Sequence, residues 1–498
     1  MSKRLLIANR GEIAIRIMKS AKELGLTCVA IKSPKEPDAL YLQHADEVVY
    51  FDDATRTPGI FLDIESLMGI CRDNNIDILH PGYGFLSENP DLANACKENN
   101  VVFAGPKAEL IRDMGNKTIA KEKAVEAGLP LLAGSAGVVH SYEEAEQVAE
   151  QIGYPVILKA AAGGGGRGMR IVESRDQIEK NYKSANAESL AAFNNGDLFV
   201  EKYIPSPKHI EFQILSDKHG NVIHLGEREC SLQRKHQKLI EEAPSPFLSP
   251  QKREEMGQKS VEFAQKIGYD SVGTIEFIMD ANGNYYFMEM NTRIQVEHPV
   301  TEVITGVDLI AWQLRVAMDE KLTLTQDDIK FQGWAIECRL NAEDAQNRFA
   351  PETGIISQIR FPEGEDIRIE TGVENNSVVT PHFDSMLAKI IVRGWDRQNA
   401  IGRMDRALSN FRIDGLKTTV PFCKLVINHK DFILGTYTTK WVEDYYTDIM
   451  LEDPIDEMIA AHAAVYLYHN EFSKVASDTP DFEEDSMSVW VMKRRLNS

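Results

Sequence analysis

The sequence predicts a multidomain protein of mixed α/β and α+β class, with a parallel α/β domain first and an antiparallel sheet towards the C-terminus. Three observations carry this expectation. The chain has 498 residues, too many for one hydrophobic core, so roughly two to four domains are expected. Residues 4–32 read strand, helix, strand: Leu5 to Ala8 is apolar, Ile13, Ile17, Ala21 and Leu24 recur at helical spacing, and Cys28 to Ile31 is apolar again. That is a βαβ unit, which implies a parallel sheet. Residues 198–340, by contrast, are rich in strands, and Asn282-Gly283 between two alternating runs is a strong hairpin signal.

Composition narrows the function classes. An apolar share of 43% with 26% charged residues belongs to the soluble globular class. There are 55 basic and 76 acidic residues, a net charge of −21, which disfavours a nucleic-acid partner. No apolar run approaches the roughly 18 residues of a membrane span, and the apolar run after Met1 is too short for a signal peptide, so a cytoplasmic protein is expected. Cys28, Cys71, Cys96, Cys230, Cys338 and Cys423 are scattered without a CxxC pair, which suits reduced core thiols.

The elements follow in order. Asp77-Ile78-Leu79 runs into His80-Pro81-Gly82-Tyr83-Gly84-Phe85, a turn-rich loop at a strand end, where ligands dock in parallel sheets. Val156-Ile157-Leu158 leads through Lys159 into a loop with five glycines among residues 163–168, then a second strand from Met169. Such a loop lets backbone N–H groups close on phosphate oxygens. It is not a dinucleotide fingerprint, which requires a following helix, nor a Walker loop, which requires Gly-Lys-Ser/Thr. On residues alone a flexible hairpin also fits.

The sharpest inference lies between Thr274 and Pro299. If Asn282 and Gly283 are the two turn residues, Glu276 lies directly opposite Glu289 and Thr274 opposite Asn291. Opposed carboxylates repel, and a divalent cation between them reverses the penalty. Two Glu and an Asn suit Mg²⁺ or Mn²⁺. Asn291, Arg293, Gln295 and Glu297 share one face if the strand stays extended, with Pro299 ending the ladder. The run Gln233-Arg234-Lys235-His236-Gln237-Lys238, His209, and Arg339 within Glu337 to Asn341 complete the polar candidates. Solvation or structural ion pairing is the alternative for each. Short strands recur from Ile367 to Val392, then a helix from Gln398 to Asn410.

Taken together, these segments resemble the biotin carboxylases of the ATP-grasp superfamily. The resemblance runs from about Lys3 to Tyr446, on Ala8 to Ala14, His80 to Asn89, Lys159 to Arg170, Gln233 to Lys238, Glu289 to Thr301 and Glu337 to Asp344. It implies an N-terminal α/β domain over 1–115 and an ATP-grasp domain over 116–330 with a lid at about 133–203. A C-terminal antiparallel-sheet domain over 331–446 and a tail over 447–498 follow. It implies ATP contacts at Lys117, Lys159, Gly164, Gly165, Gly166, Met169, His209, Gln233 and His236, with Glu201, Lys202 and Ile204 as an adenine-side hinge acting largely through backbone. Glu276, Glu289 and Asn291 correspond to magnesium ligands. Lys238 and Arg293 match a bicarbonate clamp, Glu297 a general base, and Arg339 a group that steadies the biotin enolate. Tyr83 borders the biotin pocket.

The implied reaction is ATP- and bicarbonate-dependent carboxylation of biotin through carboxyphosphate. The competing readings are a carbamoyl-phosphate synthetase module, which also activates bicarbonate, and a regulatory subunit that binds ATP without chemistry. Met492-Lys493 lacks the flanks of a biotinylation site, so biotin is expected on a separate carrier protein, with a carboxyltransferase subunit as second partner and a homodimer or larger complex as the assembly. The tail is expected to dock a partner through a helix carrying Leu451, Ile455, Met458, Ile459, His462, Val465 and Tyr466, and a short strand over 487–492. The final acyl acceptor is not legible.

Overall fold

The computed structural model describes residues 2–52, 59–161, 169–446 and 462–468. Residues Met1–Thr447 form one compact unit and Asp448–Ser498 a second. In the second, residues 462–468 are helical and exposed; the other tail residues singled out above lie outside the described residues.

The first unit begins with β1 (Arg4–Ile7), α1 (Gly11–Glu23) and β2 (Thr27–Lys32), the predicted βαβ unit. Leu5, Leu6 and Ile7 are fully buried; α1 covers Leu5 and Ile7 with Ile13, Ala14, Ile17 and Ala21, while Leu6 faces the other side with Leu67 and Leu92. With β3 (Glu47–Tyr50), β4 (Ile78–His80) and β5 (Val102–Phe103) they form a parallel sheet ordered β3-β2-β1-β4-β5. The chain order reverses between β1 and β4, the place where a crevice opens beyond the strand ends. The two loops there are tied: the Asn9 amide donates to the carbonyls of Pro81 (2.7 Å) and Tyr83 (2.8 Å). A side chain at Gly82 would strike Asn9 at 2.7 Å, and φ there is +65°, so glycine is required twice over.

A three-stranded antiparallel sheet follows, β6 (Val156–Ala160), β7 (Arg170–Val172) and β8 (Leu198–Lys202), ordered β7-β6-β8. It packs on the helices Tyr142–Ile152 and Ile178–Phe193 through Val156, Leu158, Ala145 and Ala149. Gly164, Gly165 and Gly166 lie outside the described residues.

The largest sheet holds β9 (Lys208–Ser216), β10 (Val222–Arg234), β11 (Gln237–Ala243), β12 (Val272–Met279), β13 (Tyr285–Asn291), β14 (Trp334–Asn341), β15 (Ile367–Thr371) and β16 (Met386–Gly394). Its order is β13-β12-β9-β10-β11-β14-β16-β15, so one sheet runs across residue 331. On one face Ile210, Phe212, Ile214, Phe277 and Phe287 meet Phe263 of the helix Pro250–Lys266. The other face carries His209, Glu276 and Lys238 into a cleft, with Glu211 fully buried against Lys238. Among the described residues no helix is long and apolar enough to cross a membrane. All six cysteines are free and buried.

Candidate active site

Two hairpins build the cleft floor. The turn between β12 and β13 differs from the expected two-residue one. Asp280 N–H donates to Asn284 (2.9 Å) and Gly283 N–H to Asp280 (3.1 Å), so the loop is Ala281-Asn282-Gly283, with Gly283 at φ +81°. The Asp280 carboxylate, which accepts from the N–H groups of Asn282 and Asn284, draws the turn one residue wider. Uncorrected, that register sets Glu276 against Met288. A bulge between the Phe277–Phe287 and Glu276–Glu289 pairs restores the expected partners, Glu276 opposite Glu289 and Thr274 opposite Asn291.

The second hairpin joins β10 to β11 at Lys235-His236, both at positive φ (49° and 65°), the signature of a tight two-residue turn. Without Gly or Asn it was invisible in the sequence, where this run read as one polar stretch. It pairs Gln233 with Lys238 and so brings Lys238 to the floor.

The strand does not run extended to Pro299. β13 ends at Asn291, and Glu297 is the N-cap of α2 (His298–Thr305), with Pro299 in its first turn, where proline is favoured. Arg293, Gln295 and Glu297 nevertheless reach the cleft from an irregular segment.

These elements enclose a cavity of about 830 Å³. Tyr83, Lys117, Lys159, Met169, Glu201, His209, Gln233 and His236 line it on the way to its floor, and Lys238, Glu276, Glu289, Asn291, Arg293, Glu297 and Arg339 line the floor. Lys202 and Ile204 are not among the lining residues. Alternation along β8 turns Lys202 away from Glu201, to the carbonyls of Gly153 and Tyr154 (both 2.9 Å), and the Lys202 N–H is taken by Ala133. Of the hinge expected to act largely through backbone, Glu201 is thus the residue whose side chain lines the cavity. Its carboxylate holds Lys121 and, at 2.5 Å, Lys159. Burial opposes its ionisation, but the two lysines outweigh that and lower it to about 2.

At the floor one carboxylate is gripped from both sides. Lys238 Nζ lies 2.6 Å from Glu297 Oε1 and Arg339 donates to Glu297 Oε2 at 2.9 Å. Burial resists a charge there, yet Lys238 and Arg339 prevail and hold Glu297 well below the usual carboxylate range. Lys238 also binds Glu211 and, at 3.0 Å, Glu276, and Arg339 donates to Glu241 at 2.7 Å. Arg293 is held by the neutral acceptors Asn291 Oδ1 (2.9 Å) and Gln295 Oε1 (2.6 Å) and by Glu88 (3.0 Å).

The opposed pair splits electrically. Glu276 is charged: burial opposes this, but Lys238 and His209 lower it well below the ordinary value. Glu289 opens onto the cleft at a depth where burial, with the charge of Glu276, pushes it up. An ionised carboxylate beside one held back from ionising is the like-charge conflict that a divalent cation would relieve. Asn291 lies alongside with its amide nitrogen buried and unpartnered. The donor set fits Mg²⁺. His209 and Glu211 also converge on Glu276: His209 Nε2 lies 3.1 Å from its Oε2, while Lys238 holds its Oε1.

Glu211, Glu241, Glu88 and Lys121 were not singled out in the sequence. Glu211 had a signal: His209, Glu211 and Gln213 alternate with Ile210, Phe212 and Ile214, a half-buried strand pattern. The others had none.

Three family models match successive parts of the chain. Residues 1–111 match the family described as biotin carboxylase, N-terminal domain, and residues 337–444 the biotin carboxylase C-terminal domain. Residues 116–325 match the carbamoyl-phosphate synthase L chain, ATP binding domain. Biotin carboxylase 1 of Bacillus subtilis is 47% identical over 451 residues, 90% of this chain and 100% of that protein. The chain belongs to the biotin carboxylase family. The 2-oxoglutarate carboxylase small subunit of Hydrogenobacter thermophilus is 47% identical over 445 residues, 89% of this chain and 94% of that protein. Among solved structures, the biotin carboxylase domain dimer of that carboxylase, in complex with MgADP, ADP and bicarbonate, superposes with a TM-score of 0.87 at 47% identity. It covers 91% of this chain and 99% of its own. The Campylobacter jejuni biotin carboxylase in complex with a β-γ-ATP ligand gives 0.86 at 42% identity, over 89% and 99%. The flanking matches separate the chain from carbamoyl-phosphate synthases, with which the family shares its middle segment.

Proposed function

We infer that this cleft carboxylates biotin with bicarbonate, using ATP, as the first half-reaction of an acyl-CoA or 2-oxoacid carboxylase. The observation that carries the reading is Glu297, ionised and buried between Lys238 and Arg339, on the same floor as the opposed Glu276 and Glu289.

Lys117, Lys159, His209, Gln233 and His236 bind the nucleotide, with Met169 beside the base and Gly164, Gly165 and Gly166 as further contacts by resemblance to the family. Burial lowers the Lys117 ammonium below the ordinary lysine value, which primes it for an anionic partner. Glu276, Glu289 and Asn291 would hold Mg²⁺, which supplies charge neutralisation on the phosphates.

Bicarbonate sits between Lys238 and Arg293. Because three of the four hydrogen bonds from Arg293 go to acceptors other than carboxylates, its charge is available to the anion. Glu297 takes the bicarbonate proton, and the freed oxygen attacks the γ-phosphorus of ATP while the bond to ADP breaks. Orientation in line is the main contribution of the two cations. Carboxyphosphate then parts into CO₂ and phosphate. The phosphate accepts the N1 proton of biotin, Arg339 steadies the enolate, and N1 bonds to CO₂. Tyr83 borders the ring.

A biotin carboxyl carrier protein delivers the substrate and a carboxyltransferase subunit consumes the product. The subunit names of the relatives support this, and the dimeric neighbour supports a homodimer or larger assembly. Six free thiols fit a cytoplasmic setting. The test is phosphate release from ATP with bicarbonate and either biotin or ammonia. Stimulation by biotin alone is expected, whereas stimulation by ammonia alone assigns the carbamoyl-phosphate chemistry instead.

A further inference from the structure

The cleft floor stands beside a second set of buried charges that the reaction above does not use. Lys389 on β16 is fully buried. It pairs directly with Arg339 across β14 and β16, and two cations opposed on one face repel. The clash is resolved by division of partners. Arg339 turns to Glu241 and Glu297, while Lys389 turns to Glu370 on β15 (3.1 Å) and Glu12 on α1 (3.2 Å). A desolvated ammonium needs such partners, but those two account for only part of its hydrogen-bonding capacity. Lys389 Nζ also donates to the carbonyl of Val296 at 2.8 Å, one peptide before Glu297. Glu12 accepts from the Tyr83 hydroxyl at Oε1, the same oxygen that faces Lys389.

We propose that Lys389 and Glu12 are positioning residues that fix the spacing between Glu297 and the biotin side of the cleft at Tyr83. Lys389 fastens the peptide that carries the base. Glu12, at the first turn of α1, fastens the loop that carries the phenol. The loop reaches the large sheet at two places: Glu88 accepts from the Thr292 N–H and from Arg293 beyond the end of β13, whereas at the Tyr83 end Asn9 ties residues 81–83 to the chain just before α1, and α1 meets the sheet through Glu12 and Lys389 and, one turn on, through Arg16 and Glu370. Backbone packing agrees. A side chain on Gly372, just after β15, would meet the Glu12 nitrogen at 2.9 Å, so the strand end and the helix start are held without slack.

The inference rests on the roles proposed for Glu297 and Tyr83, and its test separates the two failures. Wild type is first assayed for biotin-dependent phosphate release; its absence refutes those roles, and the spacing proposal with them. Steady-state kinetics in biotin are then measured for Glu12→Gln, Lys389→Met and the double variant, alongside the dissociation constant for MgATP. Glu12→Gln keeps the side-chain shape and leaves Lys389 its Glu370 and Val296 contacts. We expect it to raise the KM for biotin about tenfold with kcat reduced far less. Lys389→Met is expected to lower kcat about tenfold or more as well, because the base loses its anchor. MgATP binding stays within twofold in both, since none of these groups touches the nucleotide residues. The double variant is expected to be no worse than Lys389→Met alone, as for members of one chain. Should Lys389→Met fail to fold, the KM and kcat split of Glu12→Gln decides alone. Unchanged biotin kinetics in Glu12→Gln, multiplicative effects in the double variant, or equal losses in biotin and MgATP binding each overturn the proposal.

Discussion

Replacing Glu297 by Gln tests the floor of the cleft with the smallest change of shape. The carboxylate is held by Lys238 at 2.6 Å and Arg339 at 2.9 Å, and the amide removes its charge and its basicity together. Neither cation is stranded: Lys238 keeps Glu211 and Glu276, and Arg339 keeps Glu241. The cost to the fold therefore falls below the roughly 3–5 kcal/mol of breaking an isolated buried pair. The catalytic cost is larger in proportion. Loss of a positioned general base lowers turnover by about 10²-fold or more, on the order of 3 kcal/mol of barrier. The assay is biotin-dependent phosphate release at saturating MgATP and bicarbonate, with MgATP affinity measured separately and expected unchanged. Stability carries a second signature. Because Glu297 titrates below the ordinary carboxylate value when folded, it stabilises the fold above that value and loses this as pH falls through its depressed one. Wild type and variant should converge in acid. Near wild-type turnover in the variant removes Glu297 from the mechanism.

Two further outcomes are expected. Glu289→Gln should leave the metal-free protein at least as heat-stable as wild type, because it relieves repulsion with Glu276, while reducing the stabilisation that Mg²⁺ with nucleotide adds in thermal melts; an undiminished Mg²⁺ response contradicts the ligand assignment. Glu241 is pushed up to about 7 by burial, against the pull of Arg339 and with the push of Glu297. Between its ordinary value near 4.5 and 7 the folded state binds a proton the unfolded state releases, so this group makes stability fall as pH rises through that window, by up to about 3 kcal/mol. Denaturation midpoints from pH 5 to 8 should gain on wild type in Glu241→Gln, and a constant difference across the range refutes the shift.

What the sequence revealed follows from what is local. The βαβ start was legible because β1 and α1 each show their own periodicity. The opposed Glu276 and Glu289 were legible for a reason only half right: the turn is a residue wider than Asn282-Gly283 suggests, and a bulge cancels the error. Glu297 was read as the end of a strand and is a helix cap, because Pro299 signals both a stop and a first turn. The Lys235-His236 turn left no trace, since neither residue prefers positive φ, and so the reason Lys238 reaches the floor was hidden. That the Lys202 side chain turns away from the cleft was hidden too, because motif matching ignores which side of a strand a residue faces. Glu241 and Glu88 act through Arg339 and Arg293, and Lys389 through Val296 and Glu12, all far away along the chain, and nothing in one sequence marks such pairs.

The most direct measurement is transfer of labelled carbon from bicarbonate to biotin, with the purified chain, MgATP and free biotin. Label appearing on biotin, one carbon for each ATP hydrolysed in the coupled reaction, and lost when ATP is omitted, is the result expected here. ATP hydrolysis that proceeds at full rate while biotin stays unlabelled would contradict it.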